Sequence, residues 1–118
     1  MTIRQAREQE AGAITRLVEE EPQLASDETY SEEYFSRLIK QGVVLVDEED
    51  AGIVGLCFGT YNQEERWADL LGVLVLKEYR LQGRASALVA AFEEALPSNI
   101  KTVDRYTRTE LAGYPESQ

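Results

Sequence analysis

The sequence predicts an α/β fold, an α+β arrangement with one mixed sheet and helices packed on its faces. Three observations predict it. Two apolar runs, Val43–Val46 and Ile53–Tyr61, flank a short polar turn. A third apolar run, Trp67–Leu76, follows at once. Segments with helical spacing of apolar residues lie on either side of this block. The predicted order is β-α-α-β-β-β-α-β within a single domain, residues 1–118.

Thr2–Ala6 alternates weakly and reads as a first strand. Across residues 8–20, Ala11, Ile14, Leu17 and Val18 share one helical face, and Pro22 ends the helix. Ser31, followed by Glu32 and Glu33, is a fair helix start. Tyr34, Phe35, Leu38 and Ile39 form its apolar stripe, and Gly42 closes it. Asp47–Gly52 is predicted to be a polar turn joining the next two strands in a hairpin. Asn62–Glu65 is the turn into the Trp67–Leu76 strand, which reads as central because it is mostly apolar. Gly72 marks a bulge or a close approach. After a loop at Lys77–Gln82, Gly83–Leu96 reads as a helix burying Ala85, Leu88, Val89 and Phe92. Ile100–Tyr106 alternates as a last strand, and Thr107–Gln118 is a weakly structured tail.

Composition narrows the function classes. The chain has 118 residues, 43% of them hydrophobic, which suffices for a real core. It lacks an apolar run of about 18 residues, so no membrane-spanning helix is expected. Its start, MTIRQAREQE, has no apolar signal-peptide core. The single cysteine, Cys57, excludes an internal disulfide and a Cys-rich zinc site. The lack of histidine excludes His-dependent triads and His metal clusters, so no metal site is expected. The expectation is a soluble, cytoplasmic protein.

Net charge is −10, and residues 1–50 carry 13 acidic against 5 basic side chains. Such acidity disfavours nucleic acid and favours cationic partners, or simply maintains solubility. One stretch runs against it. In Lys77-Glu78-Tyr79-Arg80-Leu81-Gln82-Gly83-Arg84, three cations face one anion, and a bound anion is the simplest reason.

This stretch joins a buried strand to a helix. The first turn of a helix presents N–H groups without internal partners, and its dipole adds positive charge. Together they make an anion site suited to phosphate. Gly83 and Ala85 let a phosphate approach the backbone, and Arg80 and Arg84 can add charge-assisted hydrogen bonds.

Arg80-x-x-Gly83-x-Ala85 resembles the R/Q-x-x-G-x-G/A signature of the GCN5-related N-acetyltransferases. The preceding strand, the Ser86-Ala87-Leu88 continuation and the upstream element order resemble that superfamily over residues 1–106. The resemblance implies that acetyl-coenzyme A is the cosubstrate. Its pyrophosphate would bind backbone N–H groups from Leu81 through Gln82, Gly83, Arg84 and Ala85 to Ser86. Its pantetheine arm would pair with the strand near Leu74 and Val75, beside a bulge at Gly72 and the residues after it. Leu81 stands where the family often has glycine. The family continues through a further helix and two more strands. Here Ala112-Gly113-Tyr114-Pro115-Glu116 resembles only the start of that helix. The resemblance therefore implies a missing C-terminal hairpin: a minimal version, a truncated sequence, or a sheet completed by a partner subunit in a homodimer. An exposed last strand also favours such a dimer.

The implied reaction is direct attack of a neutral amine on the thioester carbonyl, polarised by a backbone N–H near Val75. Asp69 is the candidate base, where some relatives carry a catalytic glutamate, and burial would raise its pKa. An exposed strand-end residue is the alternative. Glu64 and Glu65 are fallback bases or members of a solvated turn. Tyr114 matches the family's general-acid tyrosine, with Tyr106 as a weaker alternative or either as an ordinary tyrosine. Cys57 reads as core packing. The acidic segment Glu21–Tyr34 suits a cationic small-molecule or peptide amine, or is a solvated loop and helix face. The leading function is an acetyl-coenzyme A-dependent N-acetyltransferase. The competing ones are a noncatalytic acyl-coenzyme A-binding module and a plain structural domain.

Overall fold

A computed structural model describes residues 2–21 and 30–105 of the chain. Pro22, Tyr106, Tyr114 and the tail, for which the sequence carries expectations, lie outside the described residues.

The elements follow the predicted order. Strand β1 is Thr2–Gln5, and a 3-10 turn at Glu8–Glu10 leads into helix α1, Ala11–Glu19. Helix α2 is Glu32–Gln41. Strands β2, β3 and β4 are Val43–Glu49, Gly52–Asn62 and Trp67–Val75. Helix α3, Arg84–Ala95, precedes β5, Thr102–Arg105. Ser31 caps α2 as its sequence implies, its hydroxyl oxygen accepting from the Tyr34 N–H at 3.1 Å. Gly42 ends that helix, donating to the Leu38 carbonyl at 2.7 Å.

The hairpin turn is shorter than predicted. Strand β2 continues through Asp47, Glu48 and Glu49, and Glu49 pairs with Gly52 across a turn of Asp50 and Ala51. The charged residues stay in the strand because each side supplies a ladder partner: β1 pairs with Asp47 and Glu48, and β3 with all three.

The sheet order is β1-β2-β3-β4-β5, antiparallel except for the parallel β4–β5 pair. The α3 crossover between β4 and β5 is what a parallel pair requires. Helices α1 and α2 cover one face, where Ile14, Val18, Phe35 and Leu38 pack on Val44, Val46, Leu56, Phe58 and Leu74. Helix α3 covers the other, where Leu88, Val89 and Phe92 pack on Leu45, Cys57, Leu70, Val73 and Val75. At Gly59 the sheet meets α3 so closely that a Cβ would collide with the Asp69 carbonyl and lie 2.7 Å from Phe92 Cζ.

Strand β4 carries the predicted irregularity beside Gly72. Phe58 pairs with Gly72 but Gly59 with Leu70, so Leu71 is the extra residue of a bulge. Among the described residues, β5 pairs with β4 from Trp67 to Leu70.

Candidate functional site

The site starts where β4 ends. Leu76 still donates to the Val54 carbonyl at 2.9 Å, and a 3-10 turn follows at Lys77–Tyr79. Tyr79 and Arg80 donate back to Leu76 and Lys77. Local bonding then stops. Among the described residues, the N–H groups of Leu81, Gln82, Gly83, Arg84, Ala85 and Ser86 donate to no backbone carbonyl, and Ala87 makes the first helical bond, to Gly83, at 3.0 Å. Six consecutive donors therefore surround the positive end of a twelve-residue helix.

Two residues bend the chain into this shape. Gly83, the residue just before α3, has φ +79°, and the space a Cβ would fill there is open to 4 Å. Glycine is thus needed for the backbone conformation and leaves the approach clear. Leu81 also has positive φ, +63°, although it carries a side chain, and that side chain is 96% exposed. A glycine there would adopt this conformation without the steric cost that leucine bears.

The local excess of cations seen in the sequence is offset in space. Arg84 Nη1 lies 2.9 Å from Asp47 Oδ2 and 2.8 Å from Glu49 Oε2. Arg80 Nη2 lies 3.0 Å from Glu21 Oε2, and its Nε donates to the Val75 carbonyl at 2.8 Å. Carboxylates of this chain therefore already answer two of the three cations, so charge alone does not require a bound anion. Lys77 stays exposed. The sequence placed Glu21 in an acidic segment and Asp47 and Glu49 in a turn, and did not reveal them as partners of these arginines. Asp47 had a signal: it follows Val43 and Leu45 at alternate positions, which places it on the α3 face of β2.

A cavity of about 550 Å³ lies beside the loop, bounded by Leu17, Glu20 and Glu21 near the end of α1 and by Leu74–Glu78 and Arg80. The end of β4 presents backbone groups as well. Leu76 and Val54 form a hydrogen-bonded pair, so by antiparallel alternation Val75 and then Val73 turn their N–H and C=O groups away from β3. Among the described residues β5 no longer pairs at this level. Of the two residues singled out from sequence, Val75 presents its backbone outward, while Leu74 is bound to β3 and lines the cavity instead.

Asp69 sits on β4 opposite Thr60 and beside Asp104. Its neighbour Leu70 packs toward α3, so Asp69 faces the side of α1 and α2. Burial, then the nearby Asp104 carboxylate, push its pKa above the ordinary value. Asp69 does not line the large cavity, nor one of about 290 Å³ bounded by Tyr34, Arg37, Leu38 and its partner Thr60. Glu64 is exposed in the β3–β4 turn, and Glu65 accepts from Trp67 Nε1 at 3.2 Å. Cys57 is fully buried, and burial, with a smaller effect of Glu93, pushes its thiol far above the ordinary range. It packs and does not react.

Comparison with known proteins bears on this geometry. The model of the Acetyltransferase (GNAT) family matches residues 5–112. An acetyltransferase structure from Vibrio fischeri is similar with a TM-score of 0.72 at 21% identity, over 94% of this chain and 96% of that one. A possible acetyltransferase from Clostridium difficile 630 gives 0.68 at 20% identity, over 92% and 80%. The structure of AAC(6')-Iy with the bisubstrate analogue CoA-S-monomethyl-acetylneamine gives 0.71 at 16% identity, over 90% and 78%. No curated protein sequence matches the chain significantly.

Proposed function

The chain belongs to the Acetyltransferase (GNAT) family, and from that premise we propose that it transfers an acetyl group from acetyl-coenzyme A to a primary amine. The observation that carries the cofactor reading is the run of six unpartnered amides, Leu81 to Ser86, at the start of α3. These amides hold the diphosphate of the carrier, and Gly83 and Ala85 keep the approach free of side chains. The pantetheine arm runs along the outward backbone of Val73 and Val75, in the manner of an added strand, with Leu74 lining its channel.

The amine attacks the thioester carbonyl directly, and an outward N–H of β4 stabilises the oxygen as it gains charge. Distance along the strand favours one of them. Val73 is four residues from Asp69, about 13 Å in extended chain, whereas Val75 is about 20 Å away. The Val73 amide therefore serves the carbonyl, and Asp69 takes the amine proton through water. The raised pKa of Asp69 suits a base better than an ordinary carboxylate does. Tyr114 remains the proposed acid that protonates the departing thiolate. The exposed carboxylate of Glu20 at the cavity favours a cationic acceptor. AAC(6')-Iy, with its acetylneamine analogue, provides one such acceptor class. A homodimer that pairs the β5 edges completes the sheet, and sedimentation at high concentration tests it.

Titration calorimetry with acetyl-coenzyme A tests the binding half, and G83L should abolish the heat while preserving the fold. A screen of polyamines, lysine peptides and aminoglycosides for released thiol then tests transfer. A noncatalytic acyl-coenzyme A-binding module is the second reading, favoured by Asp69 lying outside both cavities. Tight binding with no thiol release across the screen would select it.

A further inference from the structure

The Arg84 side chain has an unusual set of partners for a cation at the mouth of an anion site. Its backbone N–H is among the six that face outward, but its guanidinium turns back beneath the helix. Nη1 donates to Asp47 Oδ2 at 2.9 Å and to Glu49 Oε2 at 2.8 Å, and Nε donates to Gln82 Oε1 at 3.1 Å. The guanidinium carbon lies 4.9 Å from the centre of the Tyr79 ring, a cation–π distance. One side chain thus ties the first residue of α3 to β2, to the loop before the helix and to the 3-10 turn before that.

Asp47 is the fixed end of this tie. It has no exposed surface and stands on the face of β2 that α3 covers. Space for it exists because residue 55 is glycine: a Cβ there would lie 3.1 Å from both Asp47 Cβ and Leu88 Cδ1. Asp47 Oδ1 has no hydrogen-bond partner among the described residues, so Arg84 answers this carboxylate through Oδ2 alone. A buried ion pair is a poor source of stability, because desolvation offsets most of its attraction, but it tolerates little displacement. That intolerance is useful where donors must be held still before the ligand arrives.

We propose that Arg84 is a positioning residue that pins the start of α3 to β2 through Asp47 and Glu49, and so pre-sets the outward amides, rather than a ligand of the diphosphate. This rests on the reading of those amides as the diphosphate site. The two roles predict opposite signs. If Arg84 held the phosphate itself, removing a neighbouring negative charge would free the guanidinium and tighten binding. If it positions the loop, the same removal loosens the loop and weakens binding.

Titration calorimetry of the full chain with coenzyme A decides between them, using D47N, E49Q, R84M and the D47N/R84M double variant. Positioning predicts that D47N and R84M each weaken binding about tenfold, and that the double variant is no worse than either single one. E49Q, at a half-buried carboxylate, should weaken binding about threefold. Unchanged or tighter binding by E49Q and D47N would overturn the proposal, and E49Q alone decides if D47N fails to fold. Amide exchange of the ligand-free chain gives a second readout. Ala87 and Leu88 should exchange faster in E49Q and D47N than in the wild type, and equal rates would overturn the anchoring. If the wild type takes up no coenzyme A, the diphosphate reading fails, and the exchange rates still decide whether this cluster pins the helix.

Discussion

Arg80 Nε donates to the carbonyl of Val75, five residues back along the chain, at 2.8 Å, while Nη2 of the same group reaches Glu21 at 3.0 Å. The signature arginine thus closes the loop onto the end of β4 and onto Glu21, two residues beyond α1. Replacing it should separate these two contacts. R80A should lose about 1 kcal/mol of stability, mainly the neutral-acceptor hydrogen bond, since the ion pair is partly solvated. It should also weaken coenzyme A binding about tenfold through the disturbed strand end. R80Q retains a donor for Val75 and should fall between wild type and R80A. Thermal melts and calorimetry on the two variants check this order.

Leu81 gives a stability prediction of unusual sign. Its positive φ costs a side-chain-bearing residue about 1–2 kcal/mol, and its exposed side chain recovers almost no burial. L81G should therefore raise stability by about 0.5 kcal/mol once glycine's greater freedom in the unfolded chain is counted. A lower melting temperature for L81G would show that the leucine is held by contacts rather than tolerated.

Gly59 predicts the reverse. A methyl group there meets the Asp69 carbonyl and the Phe92 ring, both in rigid surroundings. G59A should cost about 3 kcal/mol, at the upper end for overpacking a core. Urea unfolding measures it, and a loss below about 1 kcal/mol would mean that β3 and α3 separate easily.

Asp69 predicts a pH dependence. Burial and Asp104 raise its pKa in the folded chain. A carboxyl raised in this way favours folding while protonated, and that contribution is lost as pH rises through the folded value. D69N should therefore remove a loss of stability on the alkaline side of that titration. D104N leaves burial but removes the like charge, so the titration of Asp69 should move to lower pH. If Asp69 is the base, the acid limb of the rate profile moves with it, and a limb unchanged in D104N would assign the base elsewhere.

Glu10 titrates in the opposite sense. Arg4 donates to both of its carboxylate oxygens, at 2.7 and 3.0 Å, and holds its pKa at about 2. The stability it lends is present above the ordinary carboxylate range and is lost as pH falls through about 2. E10Q should flatten that part of the acid unfolding curve and cost about 1–2 kcal/mol at neutral pH. Melting temperatures from pH 2 to 7 check it.

Local pattern made much of this legible in advance. The apolar spacing of Ile14 and Val18, the Ser31 cap and the mostly apolar run of Trp67–Val75 are each written within a few residues. So is the glycine that starts α3. The partners of the loop arginines are not. Arg84 and Asp47 are 37 residues apart and Arg80 and Glu21 are 59 apart, so only the folded sheet brings each pair together. Acidic residues at Asp47–Glu49 look like a turn because turns are where charges usually sit. They remain strand because β1 and β3 supply ladder partners, and Asp47 and Glu49 also share the Arg84 cation at the start of α3. The placement of Asp69 was half legible: its strand and raised pKa follow from sequence, but its distance from both cavities does not.

The extra residue at Leu71 gives β4 two phases in one strand. Up to Leu70 the odd–even rhythm points one way, and from Val73 onward it is inverted, so Val73 and Val75 reach the same core as Leu70. Deleting Leu71 would leave Leu70 opposite Gly59 and Gly72 opposite Phe58, so the ladder would become regular and Leu74 would keep both its layer and its partner Leu56. What would be lost is the local bend and extra twist that an inserted residue gives its strand, just before the outward backbone of Val73 and Val75. The extra residue therefore shapes the strand rather than sorting its side chains between the two cores.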